Sequence, residues 1–223
     1  MVNKNKICFI LCTNHRIYEE ECLFYLKRLQ VPEGYEVDII TVKDAKSLTS
    51  GYNAAMKSSD AKYKIYLHQD VFIINEYFIR DLLNIFMVDS KIGMVGMVGN
   101  VEVPNNIVMW EGQRFGNIYG VEFMEQKVRD SIRQISAPYL DVKLIDGFLM
   151  ATQYDITWRD DIFDKWDFYD ASQCMEFIKA GYRIVVPKQV NAWCIHDCGI
   201  LDFNNYDNEK NKFVLEYKDY IDN

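Results

Sequence analysis

The sequence predicts an α/β fold with a mostly parallel central sheet flanked by helices. Two observations carry this expectation. Short apolar runs, Ile7 to Cys12 and the segment Lys64 to Leu67 among them, stop abruptly at polar tips, the pattern of parallel strands covered on both faces. Between them lie stretches with apolar residues at helical spacing, so the first hundred residues read βαβαβαβ, with connections long enough for right-handed crossovers. At 223 residues with 49% apolar content, the chain can bury a substantial core as one domain.

Residues 7–12 form the first strand, and Thr13-Asn14 follows as loop and helix-capping chemistry. Residues 17–30 place Ile17, Cys22, Leu23, Leu26 and Leu29 on one helical face, with Glu19 to Glu21 near the helix start, where the macrodipole favours acids. Pro32-Glu33-Gly34 turns the chain into a strand from Glu36 to Val42, closed by Asp44. Residues 47–58 read as a helix. The third strand, Lys64 to Leu67, leads into His68-Gln69-Asp70 and then an amphipathic helix marked by Ile79, Leu82, Leu83 and Phe86. Ile92 to Val98 is the fourth strand, with Gly93, Gly96 and Gly99 allowing close backbone packing.

Residues 100–144 are expected to be an irregular excursion over one end of the sheet, rich in Gly and aromatics around Trp110, with a short charged helix near 124–134. A strand from Val142 to Thr152, with Asp146-Gly147 inside it, restores order. A helix over 171–180 stops at Gly181, strands follow at 182–186 and 190–195, and residues 203–221 form a final helix that docks on the body.

Composition removes several classes of function. A net charge of −8, with no Lys/Arg-rich run, argues against nucleic acid as a partner, because phosphate backbones require neutralising cations. The six cysteines sit largely in apolar or amphipathic segments and read as reduced thiols of a cytoplasmic protein. The longest apolar runs fall far short of a membrane span, so any membrane association is expected to be peripheral, at the inner face. No G-x-G-x-x-G follows the first strand and no phosphate-binding P-loop motif occurs.

What remains are polar clusters at strand ends. In open α/β sheets, ligands bind beyond the carboxyl ends of the strands. Thr13-Asn14-His15, Asp44, His68-Gln69-Asp70 and His196-Asp197 all belong there, and all three histidines of the chain lie at or just beyond strand ends. An imidazole within two residues of a carboxylate suits Mn²⁺ or Zn²⁺, whereas carboxylate with water and phosphate suits Mg²⁺. Cys194-x-His196-x-Cys198 has a second reading as half of a zinc site, but lacks the usual distant second ligand pair. Asp170, opening a helix after the aromatic-rich loop 163–169, is the candidate general base, with helix capping as the competing role.

In order and spacing, these segments resemble the GT-A glycosyltransferases of family 2, and most of all the bacterial branch of StrF-domain and capsule-biosynthesis enzymes. The resemblance runs from about residue 6 to 200, through Thr13-Asn14, Asp44, Gly51-Tyr52-Asn53-Ala54-Ala55, His68-Gln69-Asp70, Asp146-Gly147-Phe148, Tyr169-Asp170, Gly181-Tyr182 and His196. It implies a nucleotide-binding half over 1–100, an acceptor-side half over 101–200 and a C-terminal helix over 201–223. The nucleotide would be contacted by Thr13, Asn14, Asp44, Asn53 and Asp70. The metal, Mn²⁺ or Mg²⁺, would be held by Asp70, His196 and His68. Asp170 would act as base, and Asp146, Gly147, Trp110 and Tyr169 would line the sugar and acceptor side. His68 stands where the family's D-x-D element begins with Asp, and Tyr169 stands where its Glu-Asp pair has Glu.

The expected activity is transfer of a sugar, with inversion and metal dependence, from a nucleotide-diphosphate donor to a glycan or lipid-linked acceptor. The two departures define the alternative, a non-catalytic nucleotide- or glycan-binding module or partner subunit. A nucleotidyltransferase ranks last, because the loop Thr13 to Arg16 has no Gly. Homodimer formation is left open.

Overall fold

The strand β1 (Asn3–Thr13) organises the molecule, because alternate residues along it enter two different cores. The computed structural model describes residues 1–120, 132–198 and 203–221. In chain order the elements after β1 are α1 (Arg16–Leu26), β2 (Glu36–Lys43), α2 (Leu48–Ser58), β3 (Ala61–His68), β4 (Val71–Ile73), α3 (Phe78–Val88), β5 (Ile92–Gly96) and β6 (Val98–Asn100). A 3₁₀ turn at Met109–Glu111 precedes β7 (Arg114–Gly116), β8 (Tyr119–Gly120), β9 (Ile132–Arg133), β10 (Tyr139–Val142), β11 (Leu144–Ile145) and β12 (Leu149–Thr152). The chain then forms α4 (Tyr169–Lys179), β13 (Arg183–Pro187), β14 (Cys194–His196) and α5 (Tyr206–Ile221).

Seven strands make the main sheet in the order β10-β13-β5-β12-β3-β1-β2. The pairs β1–β2, β1–β3 and β5–β13 are parallel, while β12 and β10 run against their neighbours. Five strands therefore end at one edge, and β12 starts there. Ile7, Phe9 and Leu11 pack on one face with Cys22 and Leu26 of α1 and Ile79, Leu82 and Phe86 of α3. Cys8, Ile10 and Cys12 pack on the other with Tyr52 and Met56 of α2, Cys174 and Phe177 of α4, and Phe213 and Tyr217 of α5. This is the period-two alternation of a strand buried on both sides.

Local chemistry fixes the helices. Ser47 caps α2 in a reciprocal capping box with Ser50. Gly181, at φ +83°, ends the segment after α4 in a backbone conformation that L side chains rarely adopt. α5 is tied to the body by Arg159, which bonds Glu216 at 2.6 Å and Glu176 at 3.4 Å, and by Tyr217 Oη donating to Glu176 at 2.9 Å. No helix among the described residues is long and apolar enough to cross a membrane.

Several expected elements are redrawn. The segment Val142 to Thr152 is three strands in two sheets, because the chain crosses from the edge of the main sheet to its centre and pairs Leu144-Ile145 with β6 on the way. Asp146-Gly147 consequently lies in a connection, not inside a strand. Ile92 to Val98 likewise divides between the main sheet and a four-stranded sheet of β11, β6, β7 and β9, which gives order to part of the region expected to be irregular. The tip after β3 enters a short strand, β4, before α3, and β14 is confined to Cys194–His196. The charged helix expected near 124–134 falls mostly outside the described residues, and its last positions belong to β9. The small glycines act as read: a Cβ on Gly96 would lie 2.6 Å from Ile145 Cβ, and one on Gly99 would lie 2.4 Å from the Leu144 carbonyl oxygen.

Candidate active site

The common edge of the main sheet collects the polar strand ends. His68 closes β3, and Asp70 follows it before β4. His196 arrives from the far end of the sequence because β14 pairs antiparallel with β4, setting His196 opposite Val71. Asp70 Oδ1 then lies 3.7 Å from His196 Nε2 and 3.9 Å from His68 Nδ1. The three candidate ligand atoms all lie within 4.8 Å of one another. Both separations are shorter than twice a metal–ligand bond of about 2.1 Å, so one ion could sit between Asp70 and each histidine with small adjustment.

Burial makes this cluster reactive toward a cation. Asp70 Oδ1 and His196 Nε2 are buried atoms with no hydrogen-bond partner, an expensive condition for polar groups. Burial pushes the Asp70 carboxyl up to about 6 and the His196 imidazole down to about 3, and it lowers His68 as well. Both imidazoles are thus held neutral, with lone pairs available. The His196 ring stacks on Phe148, with centroids 5.0 Å apart, and meets His68 edge-on at 5.5 Å. The residues present fit a divalent cation. Among the described residues this is the one His/Cys/Asp/Glu grouping of its kind, and the Cys194-His196-Cys198 alternative is not assembled: Cys194 is buried opposite Ile73.

The second half of the site comes from α4. Phe168, at φ +57°, turns the chain sharply ahead of Tyr169 and Asp170. Tyr169 is 4% exposed, and its Oη lies 2.5 Å from His68 Nε2. Asp170 accepts from the Gly147 backbone N–H at 3.0 Å and from that of Ala171 at 2.7 Å. Burial first, and the nearby Asp146 second, push the Asp170 carboxyl up to about 7, where a proton acceptor works near neutral pH. Gly147 is the hinge of this contact, since a Cβ there would lie 2.0 Å from Tyr169 Oη and 2.8 Å from Asp170 Cβ. Asp146, raised by its own burial, acts electrostatically on both His68 and Asp170.

Not every expected residue is brought in. Asp44 stands exposed just past β2, at φ +55°, beside the end of β1, where Thr13 pairs with Lys43. Asn53 is buried in α2, with Nδ2 donating to the carbonyl of Trp158 at 2.8 Å and Oδ1 accepting from that residue's N–H at 2.9 Å, so both ends of its amide anchor Trp158. Thr13 and Asn14 are held by Gln69, whose Oε1 accepts from Thr13 Oγ1 and from the N–H groups of Asn14 and His15 at 2.9–3.0 Å. Gln69 was not singled out from sequence; it lies in the turn after β3, between His68 and Asp70, and reaches the loop after β1. Trp110 reaches the Asp170 side through aromatic neighbours: its ring is 5.2 Å from Tyr206, which sits 5.0 Å from Phe168. Tyr206 in turn feels the charge of Asp170.

The mixed sheet flanked by helices matches the GT-A fold of solved glycosyltransferases. The chain belongs to the glycosyltransferase-like family, which matches residues 8–217. Solved structures agree on the fold. The mannosyltransferase PcManGT from Pyrobaculum calidifontis, in complex with GDP-Man and Mn²⁺, is 13% identical with a TM-score of 0.60, covering 99% of this chain and 65% of that one. S. aureus TarS 1-349 in complex with UDP-GlcNAc is 11% identical with a TM-score of 0.58, covering 95% and 66%. The same TarS fragment with UDP is 12% identical with a TM-score of 0.56, covering 95% and 65%. The chain thus spans about two thirds of the length of these structures. No curated protein matches it significantly in sequence.

Proposed function

We propose that the protein transfers a sugar from a nucleotide-diphosphate donor to a hydroxyl of a glycan or lipid-linked acceptor, with inversion and with a divalent cation at His68, Asp70 and His196. The observation that carries this reading is the convergence of that cluster, with its unpartnered Asp70 Oδ1 and His196 Nε2, on the same sheet edge as Asp170 in a chain of the glycosyltransferase-like family. PcManGT with GDP-Man and Mn²⁺, and TarS with UDP-GlcNAc, support a nucleotide-sugar donor. The sequence resemblance supports the StrF-domain and capsule-biosynthesis branch, with work at the inner membrane face.

In this mechanism the loop Thr13 to His15, fixed by Gln69, and the exposed Asp44 flank the nucleotide. When bound, the cation neutralises charge on the departing diphosphate. Asp170 takes the proton of the acceptor hydroxyl as the new bond from that oxygen to the anomeric carbon forms and the bond to the diphosphate breaks. Its two backbone N–H donors fix the carboxylate's orientation, and the Trp110, Phe168 and Tyr206 rings offer an apolar wall on the acceptor side.

The test combines a thermal-shift panel of UDP, GDP, CDP and TDP, with and without Mn²⁺, with donor hydrolysis assays. A rise in Tm that needs both nucleotide and Mn²⁺, and hydrolysis lost in Asp170→Asn, are the expected results. The non-catalytic alternative is favoured by His68 and Tyr169 replacing the family's acidic residues. It predicts the same rise in Tm with no turnover in any variant.

A further inference from the structure

We propose that Tyr169 is a positioning residue that aims His68 at the cation, and that the resulting set of two imidazoles and one carboxylate selects a first-row transition ion over Mg²⁺. The inference rests on the cation reading above, and makes no assumption about which sugar is moved.

A neutral imidazole has one lone-pair nitrogen and one N–H. For His68 the nitrogen facing Asp70 is Nδ1, at 3.9 Å from Oδ1. If Nδ1 bonds an ion, Nε2 must carry the proton and needs an acceptor. Tyr169 Oη is already there, 2.5 Å away. A second group that fixes the tautomer and tilt of a ligating histidine is a general requirement of metal sites.

The phenol cannot easily turn aside. Its ring is buried, with centroids 6.2 Å from both Tyr52 and Trp158, and Oη occupies the space that a Cβ at Gly147 would fill. The two positions where the sequence departs from the family pattern, His68 and Tyr169, are therefore one contact. An imidazole in place of the first carboxylate is matched by a phenol oxygen that can accept a hydrogen bond from its Nε2–H. The same exchange changes the donor set. Mg²⁺ is bound through oxygen and retains its waters, whereas imidazole nitrogen suits Mn²⁺, Co²⁺ and Zn²⁺.

Isothermal titration of the full chain with Mn²⁺, Co²⁺, Zn²⁺ and Mg²⁺, together with the visible absorption of the Co²⁺ complex, tests this without any turnover. The transition ions are expected to bind at least about tenfold more tightly than Mg²⁺. Tyr169→Phe should weaken Mn²⁺ and Co²⁺ by about 10–100-fold and alter the Co²⁺ spectrum. His68→Asp, which restores an oxygen ligand and does not depend on the folding of the Tyr169 variant, should narrow the gap to Mg²⁺. Equal affinity for Mg²⁺, an unchanged Co²⁺ spectrum and affinity in Tyr169→Phe, or an unchanged preference in His68→Asp would each overturn the inference while leaving a cation site standing. If no ion binds, or if binding survives Asp70→Ala and His196→Ala together, the cation reading falls as well.

Discussion

Gly147→Ala is a small change with a large expected effect, because the added methyl has nowhere to go. Its Cβ would lie 2.0 Å from Tyr169 Oη, 2.5 Å from Tyr169 Cζ and 2.8 Å from Asp170 Cβ. Ordinary contact requires a retreat of more than about 1 Å by a ring that is packed on Tyr52 and Trp158 and tethered to His68. Overpacking of this kind costs about 1–3 kcal/mol. The Gly147 N–H that donates to Asp170 is pulled from its place at the same time, and a hydrogen bond to a charged group contributes about 1.5–3 kcal/mol. Together they predict a loss of up to roughly 2.5–6 kcal/mol, an upper figure because both contributions act on one contact and are coupled. At about 2–4 °C per kcal/mol for a chain of this size, Tm falls by up to roughly 5–24 °C. Turnover should fall by about 100-fold or more at 25 °C, where the protein is still folded, because the proposed base is displaced by about an ångström. The assay pairs a thermal melt with donor hydrolysis. Adding Tyr169→Phe removes the nearest clashing atom, so the double variant should regain part of the lost stability, a coupling of about 0.5–3 kcal/mol. A Gly147→Ala protein that melts within a degree of wild type and turns over normally would refute the packing argument.

Five further outcomes follow from the same geometry. With Asp170 pushed up to about 7, donor turnover should fall roughly tenfold per pH unit below that value, since the reactive form is the carboxylate; a flat profile from pH 5 to 8 would remove Asp170 as base. The folded state holds the Asp170 proton more tightly than the unfolded chain does, so this group's contribution to stability declines as pH rises from about 4 to about 7, by at most about 4 kcal/mol, and the decline should be smaller in Asp170→Asn melts over that range. Mn²⁺ at about 100 times its Kd should add about 2.7 kcal/mol, or roughly 5–10 °C in Tm, and the rise should vanish in Asp70→Asn. Gln69→Leu should cost about 1–3 kcal/mol and weaken nucleotide-diphosphate binding in calorimetry, because three donors of the loop after β1 lose their shared acceptor. Asn53→Leu should destabilise by a similar amount yet leave nucleotide and metal affinity unchanged, which separates its structural role from the site.

By itself the sequence determined the alternation of strands and helices through the first hundred residues, and the polar residue types at the strand ends. Apolar period and turn chemistry are local properties, so β1, β2, β3 and the helices between them were legible without any partner. Asp70, His196 and Asp170 were likewise visible as polar groups at strand and helix ends. Register and pairing are not local. The apolar run Val142 to Thr152 reads as one strand until the pairing of Leu144-Ile145 with β6 divides it. The anchoring of Asn53 to Trp158, 105 positions away, is likewise invisible in the sequence. His68 and Tyr169 look like two separate departures from a pattern until the fold closes 101 positions of chain and sets Nε2 against Oη. Only the tertiary structure could decide that contact, because what makes it is the missing side chain of Gly147 and the pairing of strands far apart in sequence, neither of which leaves a periodic trace.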